Sequence, residues 1–289
     1  MNTTAELTGH IRRKIKSDLM IGLTALATLI ALIPLFLVLG YLISKGASSI
    51  NLKFLTQLPK PVGETGGGMA NAIVGTLELV GIACLIGVPV GIGAGLFLAE
   101  HGGHPVSRFI RFAADIMIGV PSIVIGIFVY MVMVRPMHGF STLAGSVALA
   151  LIMIPLVTRT TEEMVGLVPR ELREAALALG VPRWRTSLSV VVRTALAGIA
   201  TGVILAIARV AGETAPLLFT AFGNQFWSTS LSQPIASLTV QVYTYAISPF
   251  PDWQRQAWAG ALVLTIIVLA LEIGVRLVTG RASTSRMPR

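Results

Sequence analysis

The stretch GVILAIARVAGETAPLLFTAFGNQFWS, residues 202–228, decides the fold, because it is an apolar run interrupted by two charges and a proline. With the residues from Ala195 onward it is long enough to cross a bilayer, since a spanning helix needs about 20 apolar residues. Arg209 and Glu213 are ionisable groups inside this run, where an unpaired charge is costly and marks a candidate functional site. Pro216 has no backbone N–H, so we expect the helix to bend or break just past Glu213.

The composition of the whole chain agrees with a membrane protein. Of 289 residues, 54% are hydrophobic and 12% are charged, against roughly 25% charged in soluble domains. The net charge of +9 lies in clusters between long apolar runs, which does not favour nucleic-acid binding. The single cysteine excludes an internal disulfide. We predict an all-α membrane protein with about six transmembrane helices, at Leu19–Ile43, Ala72–Leu98, Phe112–Val134, Ser141–Val157, Ala195–Leu217 and Trp258–Thr279.

The distribution of basic residues predicts the orientation. Fifteen Lys and Arg residues lie on the side that holds both termini and five lie on the other side, and cytoplasmic loops carry the excess. Both termini are therefore predicted to be cytoplasmic. The expected organisation is a basic cytoplasmic tail at 1–18, a single transmembrane domain at 19–280 with a cytoplasmic loop at 158–194, and a cytoplasmic tail at 281–289.

The charged pair of the fifth span has two interpretations. Arg209 and Glu213 are four residues apart, which would place them on one helix face. They could form a mutual salt bridge that fixes helix packing, or they could face a water-filled path together. No catalytic residue, cofactor or metal site is predicted. The chain also has no G-x-x-x-x-G-K-[ST] loop, so any ATP-derived energy is expected to come from a partner.

The longest cytoplasmic connection contains ELREAALALGVPRWRTSLSV, residues 171–190. Helix formers run up to Leu179, Gly180 supplies a stop and Pro182 follows, which predicts a helix, a turn and a second helix. This segment could be a solvated amphipathic hairpin, or a short projection that fits a groove on another protein.

A family resemblance favours the second interpretation. Glu174, Ala175 and Ala176, followed by Gly180, resemble the E-A-A-x-x-x-G loop of bacterial ABC-type import permeases. In those permeases this helix docks into a groove of the ATPase subunit. The chain departs from the wider pattern after the glycine, where residues 190–193 read VVVR with no proline.

A more specific resemblance is carried by IARVAGETAPLLFTA at 207–221, NQFWS at 224–228, RTTEEM at 159–164 and GVPSIVIGIFVY at 119–130. These segments are similar to the A-type permease subunits of phosphate-specific ABC importers. The resemblance implies the type I ABC importer permease fold. It also implies that Arg209 acts in phosphate passage, with Arg159 as a second candidate for the pathway.

The chemistry of the pair suits an anionic cargo. A guanidinium offers a rigid fork of donors that matches phosphate oxygens and stays charged at any working pH. Phosphate near neutral pH still has a proton to donate, whereas sulfate does not, so the Glu213 carboxylate would favour phosphate. Arg159 could attract the anion at the cytoplasmic exit, or anchor its helix at the inner interface.

We therefore predict a non-catalytic permease subunit of an ATP-driven importer of inorganic phosphate in the bacterial plasma (inner) membrane. The implied partners are ATPase subunits, a second permease subunit of the C type, an extracytoplasmic phosphate-binding protein and membrane lipids, with no nucleic acid. The alternatives are a permease for phosphonate or sulfate, an ion-coupled secondary transporter, and a membrane-embedded sensor or scaffold.

Overall fold

The computed structural model describes residues 3–64, 66–228 and 230–284, with side chains from residue 13 to residue 274 apart from 65 and 229. All regular secondary structure in these ranges is helical. The α-helices are α1 (Thr3–Gly46), α2 (Leu52–Thr56), α3 (Ala70–Glu100), α4 (Pro105–Gly119), α5 (Ser122–Val129), α6 (Thr142–Gly166), α7 (Arg170–Ala178), α8 (Arg183–Thr186), α9 (Val192–Ala211), α10 (Ala215–Thr220), α11 (Leu238–Ala246) and α12 (Pro251–Thr284). A 3₁₀ turn covers Ala47–Ser49, and π-helical turns cover Tyr130–Val134 and Ser187–Val191.

Five of the six predicted spans are confirmed as helices long and apolar enough to cross a membrane. They cover Arg13–Ser49, Ala70–Glu100, Thr142–Gly166, Arg183–Ala211 and Pro251–Gly274. The fourth span was predicted to be short, but its helix α6 has 25 residues and continues to Gly166. The chain is therefore a multi-span membrane protein.

The third predicted span, Phe112–Val134, was wrong as a single straight helix. The structure has two helical segments there, Pro105–Gly119 and Ser122–Val134, which meet at 106°. Val120 precedes Pro121 and adopts an extended conformation with φ −72° and ψ 130°, because the proline ring disfavours helical geometry in the residue before it. The break at Val120 and Pro121 turns the predicted span into an elbow.

Helix α6 forms the centre of the bundle. The most apolar 18-residue window of α6 is 67% buried, against 28% for the corresponding window of α3 and 33% for that of the span that includes α9. Gly87, Gly91 and Gly95 of α3 lie against α6, and a Cβ at Gly91 would approach Val157 to 2.7 Å. Gly198 and Gly202 of α9 also lie against α6, beside Met164 and Thr160. These glycines recur at four-residue spacing, and small residues at this spacing let the helix backbones approach closely.

Helix α1 lies at the edge of the bundle. Only 6% of its apolar window is buried. It packs on α12, where Gly46 contacts the backbone oxygen of Trp258 and the Tyr41 ring meets the Trp258 ring edge-on at 5.1 Å between centroids. Most of the apolar surface of α1 is therefore available to lipid or to another protein.

The segment between α10 and α11 closes one end of the bundle. Its backbone oxygens accept hydrogen bonds from the first residues of α6, from Thr142 N–H to Gln233 at 2.9 Å and from Leu143 N–H to Leu231 at 2.9 Å. The Asn71 side chain at the start of α3 donates to the Asn224 oxygen at 2.6 Å. These bonds tie α3, α6 and α10 together at the same end of the molecule.

Candidate functional site

The fifth span ends close to its charged residues. Helix α9 stops at Ala211, Gly212 caps it, and α10 starts at Ala215 with Pro216 in its first turn. The predicted break is therefore present, at residues 212–214. Glu213 lies inside this break and not on the helix, so the prediction that Arg209 and Glu213 share one helix face was wrong.

The two charged groups do not pair with each other. Among the described residues, the ion pairs within 4.0 Å include no contact between Arg209 and Glu213. The Arg209 side chain is exposed on the surface of this chain, and Glu213 is half-buried. The mutual salt bridge is excluded as the explanation for their spacing.

Hydrogen bonds and close packing hold the break in place. The Thr239 hydroxyl donates to the Glu213 backbone oxygen at 2.9 Å. One residue earlier, the Leu238 N–H donates to the Thr76 hydroxyl of α3 at 2.8 Å. On the other side, Gly126 of α5 touches α10 so closely that a Cβ would lie 2.6 Å from the Pro216 Cα. Three elements therefore fix the backbone around Glu213.

A cavity of about 260 Å³ lies beside α10 and α11. Its wall includes the polar side chains of Asn224, Ser237 and Gln241 and the rings of Phe222 and Tyr245. Phe222 adopts a left-handed conformation with φ 62°, and its ring stacks on Phe140 with 4.8 Å between centroids. The cavity is a mixed polar and apolar recess next to the break.

The other predicted pathway residue, Arg159, lies in an ion-pair network. Its Nε is 2.9 Å from Asp115 Oδ1 of α4, and its Nη1 is 2.7 Å from Glu162 Oε2. Glu162 also accepts from Arg111 Nε at 2.9 Å. Two arginines and two carboxylates thus join α4 to α6, an arrangement that supports the anchoring interpretation of Arg159.

The predicted hairpin is present. Helix α7 ends at Ala178, and Gly180 has φ +75°, a conformation that glycine adopts without a Cβ clash. Gly180 N–H donates to the Leu177 oxygen and Val181 N–H to the Ala176 oxygen, at 2.9 Å and 3.2 Å, which is the Schellman motif. The segment 158–194 overlaps α6 at one end and α9 at the other, so the hairpin between the spans is shorter than the predicted loop.

The four motif residues differ in exposure. Glu174, Ala175 and Gly180 are exposed, whereas Ala176 is 8% exposed. The neighbouring apolar side chains Leu172 and Leu179 are 43% and 84% exposed. Helix α7 therefore presents both a carboxylate and apolar side chains that this chain leaves uncovered.

Sequence reasoning missed the ion pairs that hold the hairpin and the elbow. Arg173 Nη1 lies 2.6 Å from Glu100 Oε1, and Arg173 Nη2 donates to the Val165 oxygen at 3.1 Å. On α4, the spacing of Arg111 and Asp115 already marks one charged face, and this pattern could have indicated the contact with α6. No comparable pattern in the sequence connects Arg173 with Glu100, which is 73 residues away.

Glu78 is a further ionisable residue within a span. It lies on α3, one helical turn after Gly75, and is half-buried. Within the described part of the chain it has no ion-pair partner.

Comparisons with known proteins extend this picture. A sequence profile of the family described as "Binding-protein-dependent transport system inner membrane component" matches residues 91–283. The proteins named "Phosphate transport system permease protein PstA" from Haemophilus influenzae and Yersinia pestis are 48% and 46% identical, over 92% of this chain and 94% and 90% of their own. One named "Probable phosphate transport system permease protein PstA" from Methanocaldococcus jannaschii is 38% identical over 91% of this chain and 94% of its own.

A solved structure shares the fold. The inward-facing MetNI methionine ABC transporter aligns with a TM-score of 0.59, over 74% of this chain and 96% of the matched chain, at 17% identity. The helical architecture and the profile match define the class, an inner-membrane permease component of the binding-protein-dependent, type I importer kind. Within this class, the chain belongs to the PstA family, because relatives of 46–48% identity cover nearly its whole length. The predicted resemblance is confirmed.

Proposed function

We propose that the chain is a permease subunit of an ATP-driven ABC importer that moves inorganic phosphate across the inner membrane. The observation that carries this proposal is the identity of 46–48% to PstA proteins over 92% of the chain. A multi-span bundle with an uncovered hairpin is consistent with a subunit that works inside a larger assembly.

The proposed path runs along the surface that carries Arg209. An exposed guanidinium on an apolar span has to meet water, an anion or a polar surface of another subunit, because hydrocarbon would leave its donors unsatisfied. Glu213 lies in the adjacent break and would accept a hydrogen bond from a protonated phosphate. Arg159 is the third proposed pathway residue, at the end where α4 meets α6, although its two carboxylate partners reduce its attraction for a free anion.

The proposed transporter combines this chain with an ATPase, a second permease subunit and a binding protein. Helix α7, with Glu174, Ala175, Ala176 and the Gly180 turn, docks into a groove of a partner ATPase, which hydrolyses ATP. A second permease subunit of the C type completes the path, and an extracytoplasmic binding protein delivers phosphate. Both termini and the hairpin lie in the cytoplasm, in agreement with the excess of basic residues on that side.

Uptake of labelled phosphate tests the proposal. Cells lacking this chain are complemented with wild type, Arg209→Gln or Glu174→Lys, and the amount of each protein in the membrane is measured. We expect wild type to restore uptake and both variants to lose most of it, since Arg209→Gln removes a charge from a proposed contact and Glu174→Lys reverses one. Arg135→Gln is the matched control, because Arg135 is an exposed arginine outside the proposed path and docking face.

The outcomes separate the parts of the proposal. Full uptake with Arg209→Gln would remove Arg209 from the path, and full uptake with Glu174→Lys would remove α7 from coupling. If wild type restores uptake of sulfate or phosphonate but not of phosphate, the proposed substrate is wrong.

A further inference from the structure

A single arginine of the hairpin binds the ends of two spanning helices. Arg173 lies on α7 next to Glu174, and one of its guanidinium nitrogens is 2.6 Å from the carboxylate of Glu100, the last residue of α3. Another nitrogen donates to the backbone oxygen of Val165, near the end of α6. The side chains of Arg173 and Glu100 are each 23% exposed, so the pair is partly shielded from water.

The ion pair is a direct side-chain contact between α7 and α3. The backbone of α7 packs closely on α8 and on the π-helical turn Ser187–Val191, which lead into α9. Of the α7 side chains, Ala176 is the buried one. The chain connects α7 directly to α6 through residues 167–169, but α3 is far away in sequence. A movement of α7 can therefore reach α3 by two routes, directly through the contact between Arg173 and Glu100, and indirectly through α6, which packs against α3.

Helix α3 extends from this contact to the candidate site. It has 31 residues, which corresponds to roughly 46 Å at 1.5 Å per residue. Near its other end, Thr76 accepts the hydrogen bond of Leu238 N–H, and the next residue, Thr239, donates to the Glu213 backbone oxygen. Gly75 is also in close contact with the Ala236 backbone. The two ends of α3 thus touch the hairpin and the segment that holds Glu213.

We propose that the ion pair between Arg173 and Glu100 transmits displacement of α7 to α3, and through α3 to the backbone around Glu213. Arg173 is then a positioning residue for transport, distinct from the docking residue Glu174 beside it. The inference rests on the proposed function, in which α7 docks on the ATPase. Charge-assisted hydrogen bonds are suited to this role because they are shorter and stronger than neutral ones.

The test uses the complete transporter, purified with its partner permease and ATPase subunits and reconstituted in proteoliposomes. The variants are Arg173→Gln, Glu100→Gln and the charge-reversed double variant Arg173→Glu with Glu100→Arg. Arg135→Gln is the matched control, since Arg135 is an exposed arginine outside α7 with no carboxylate partner in the described part of the chain. Measurements are co-purification of the ATPase, the rate of ATP hydrolysis, and phosphate uptake per ATP hydrolysed.

We expect both single variants to retain the ATPase and its hydrolysis, while uptake per ATP falls about tenfold, which corresponds to roughly 1.4 kcal/mol. The double variant should regain a substantial part of the loss, and Arg135→Gln should match wild type. A merely structural role would lower the amount of transporter without changing uptake per ATP. If Arg173→Gln does not accumulate in the membrane, Glu100→Gln removes the same pair from the other side and carries the test.

Unchanged uptake per ATP in either single variant overturns the inference, as does a double variant no better than the single ones. Loss of ATPase binding in Arg173→Gln would assign Arg173 to docking and overturn it too. The proposed function fails separately, if wild-type transporter moves no phosphate or if Glu174→Lys keeps both ATPase binding and uptake.

Discussion

The two arginines proposed for the path have different electrostatic surroundings. Arg159 contacts Asp115 and Glu162, so neighbouring negative charge offsets its field. Arg209 has no ion-pair partner within the described residues and is exposed on this chain. A free anion is therefore attracted more strongly to Arg209 than to Arg159. Arg209 is therefore the stronger candidate for direct contact with phosphate.

Replacing Glu213 by Gln tests anion selectivity at this position. In the proposed path, the Glu213 carboxylate would accept a hydrogen bond from protonated phosphate and repel sulfate, whereas a neutral amide could donate to sulfate oxygens. We expect the preference for phosphate over sulfate to fall by about tenfold, since sites that depend on one hydrogen bond discriminate at least this strongly. The measurement is inhibition of labelled phosphate uptake by sulfate at matched membrane levels.

Glu64→Gln serves as the control for this experiment, because Glu64 is an exposed carboxylate paired with Lys60 outside the spans. An unchanged preference in Glu213→Gln would contradict the role of Glu213 and leave selectivity to another component, such as the binding protein.

The residues of the candidate site were predictable from the sequence, but their geometry was not. Arg209 and Glu213 stand out because charges are rare in apolar runs. Their four-residue spacing suggested one helix face, yet α9 ends at Ala211. Pro216 indicated a break after Glu213, but the helix ends before Glu213, with Gly212 as its cap. Thr239, from a distant segment, holds the Glu213 backbone outside the helix. This hydrogen bond joins residues 26 positions apart, so no short stretch of the sequence indicates it.

At the level of elements, the contact between α3 and α6 depends on the absence of side chains at particular positions. A Cβ at Gly91 would lie 2.7 Å from Val157 Cβ, whereas at Gly93, on the same helix, nothing lies within 4 Å. Gly91→Ala should therefore force α3 and α6 apart and destabilise the fold by about 1–3 kcal/mol. Gly93→Ala should be neutral or stabilising, by up to about 1 kcal/mol, because alanine favours the helix.

Thermal unfolding of the purified permease in detergent measures this difference. A lower midpoint for Gly91→Ala than for Gly93→Ala is the expected result. Equal midpoints for the two variants would show that the interface between α3 and α6 accommodates the added methyl group without loss of stability.

A comparison of the prolines explains why the bend between α4 and α5 was not predicted. Length and hydropathy correctly indicated the five straight spans. Pro34, Pro89 and Pro155 lie inside continuous helices, whereas Pro121 coincides with a 106° bend. Proline removes one hydrogen bond in each case, and packing decides whether the chain then turns. At the elbow, the contacts of Arg111 and Asp115 with α6 hold α4 in its direction, and these contacts come from residues about 50 positions away.

On the scale of the whole molecule, the bundle has two chemically different ends. Arg111, Arg159 and Arg173 lie at the end with the hairpin, whereas Phe226 and Trp227 lie exposed at the opposite end, in the segment that caps α6. Basic residues favour the cytoplasmic side, and tryptophans favour the membrane interface. The arrangement agrees with the predicted orientation, in which the hairpin is cytoplasmic.

Labelling of single cysteines tests this orientation. The native Cys84 is replaced by serine, and cysteine is introduced in place of Leu179 or Phe226, which are 84% and 72% exposed at opposite ends. A membrane-impermeant maleimide should label Phe226→Cys in intact cells and Leu179→Cys only after permeabilisation. The Cys84→Ser chain alone is the control for background labelling, and the reverse pattern would mean that the predicted orientation is wrong.

The position of α1 at the edge of the bundle has a consequence for biosynthesis. Its main packing partner, α12, begins at Pro251, roughly 200 residues after α1 ends. At about 5–20 residues per second, the ribosome needs about 10–40 s to make the intervening chain. During this time α1 lacks α12, and its most apolar 18-residue window, with a mean hydropathy of 2.6, has to keep it stable in lipid. Helix α1 must therefore be inserted independently, before the helix that will hold it exists.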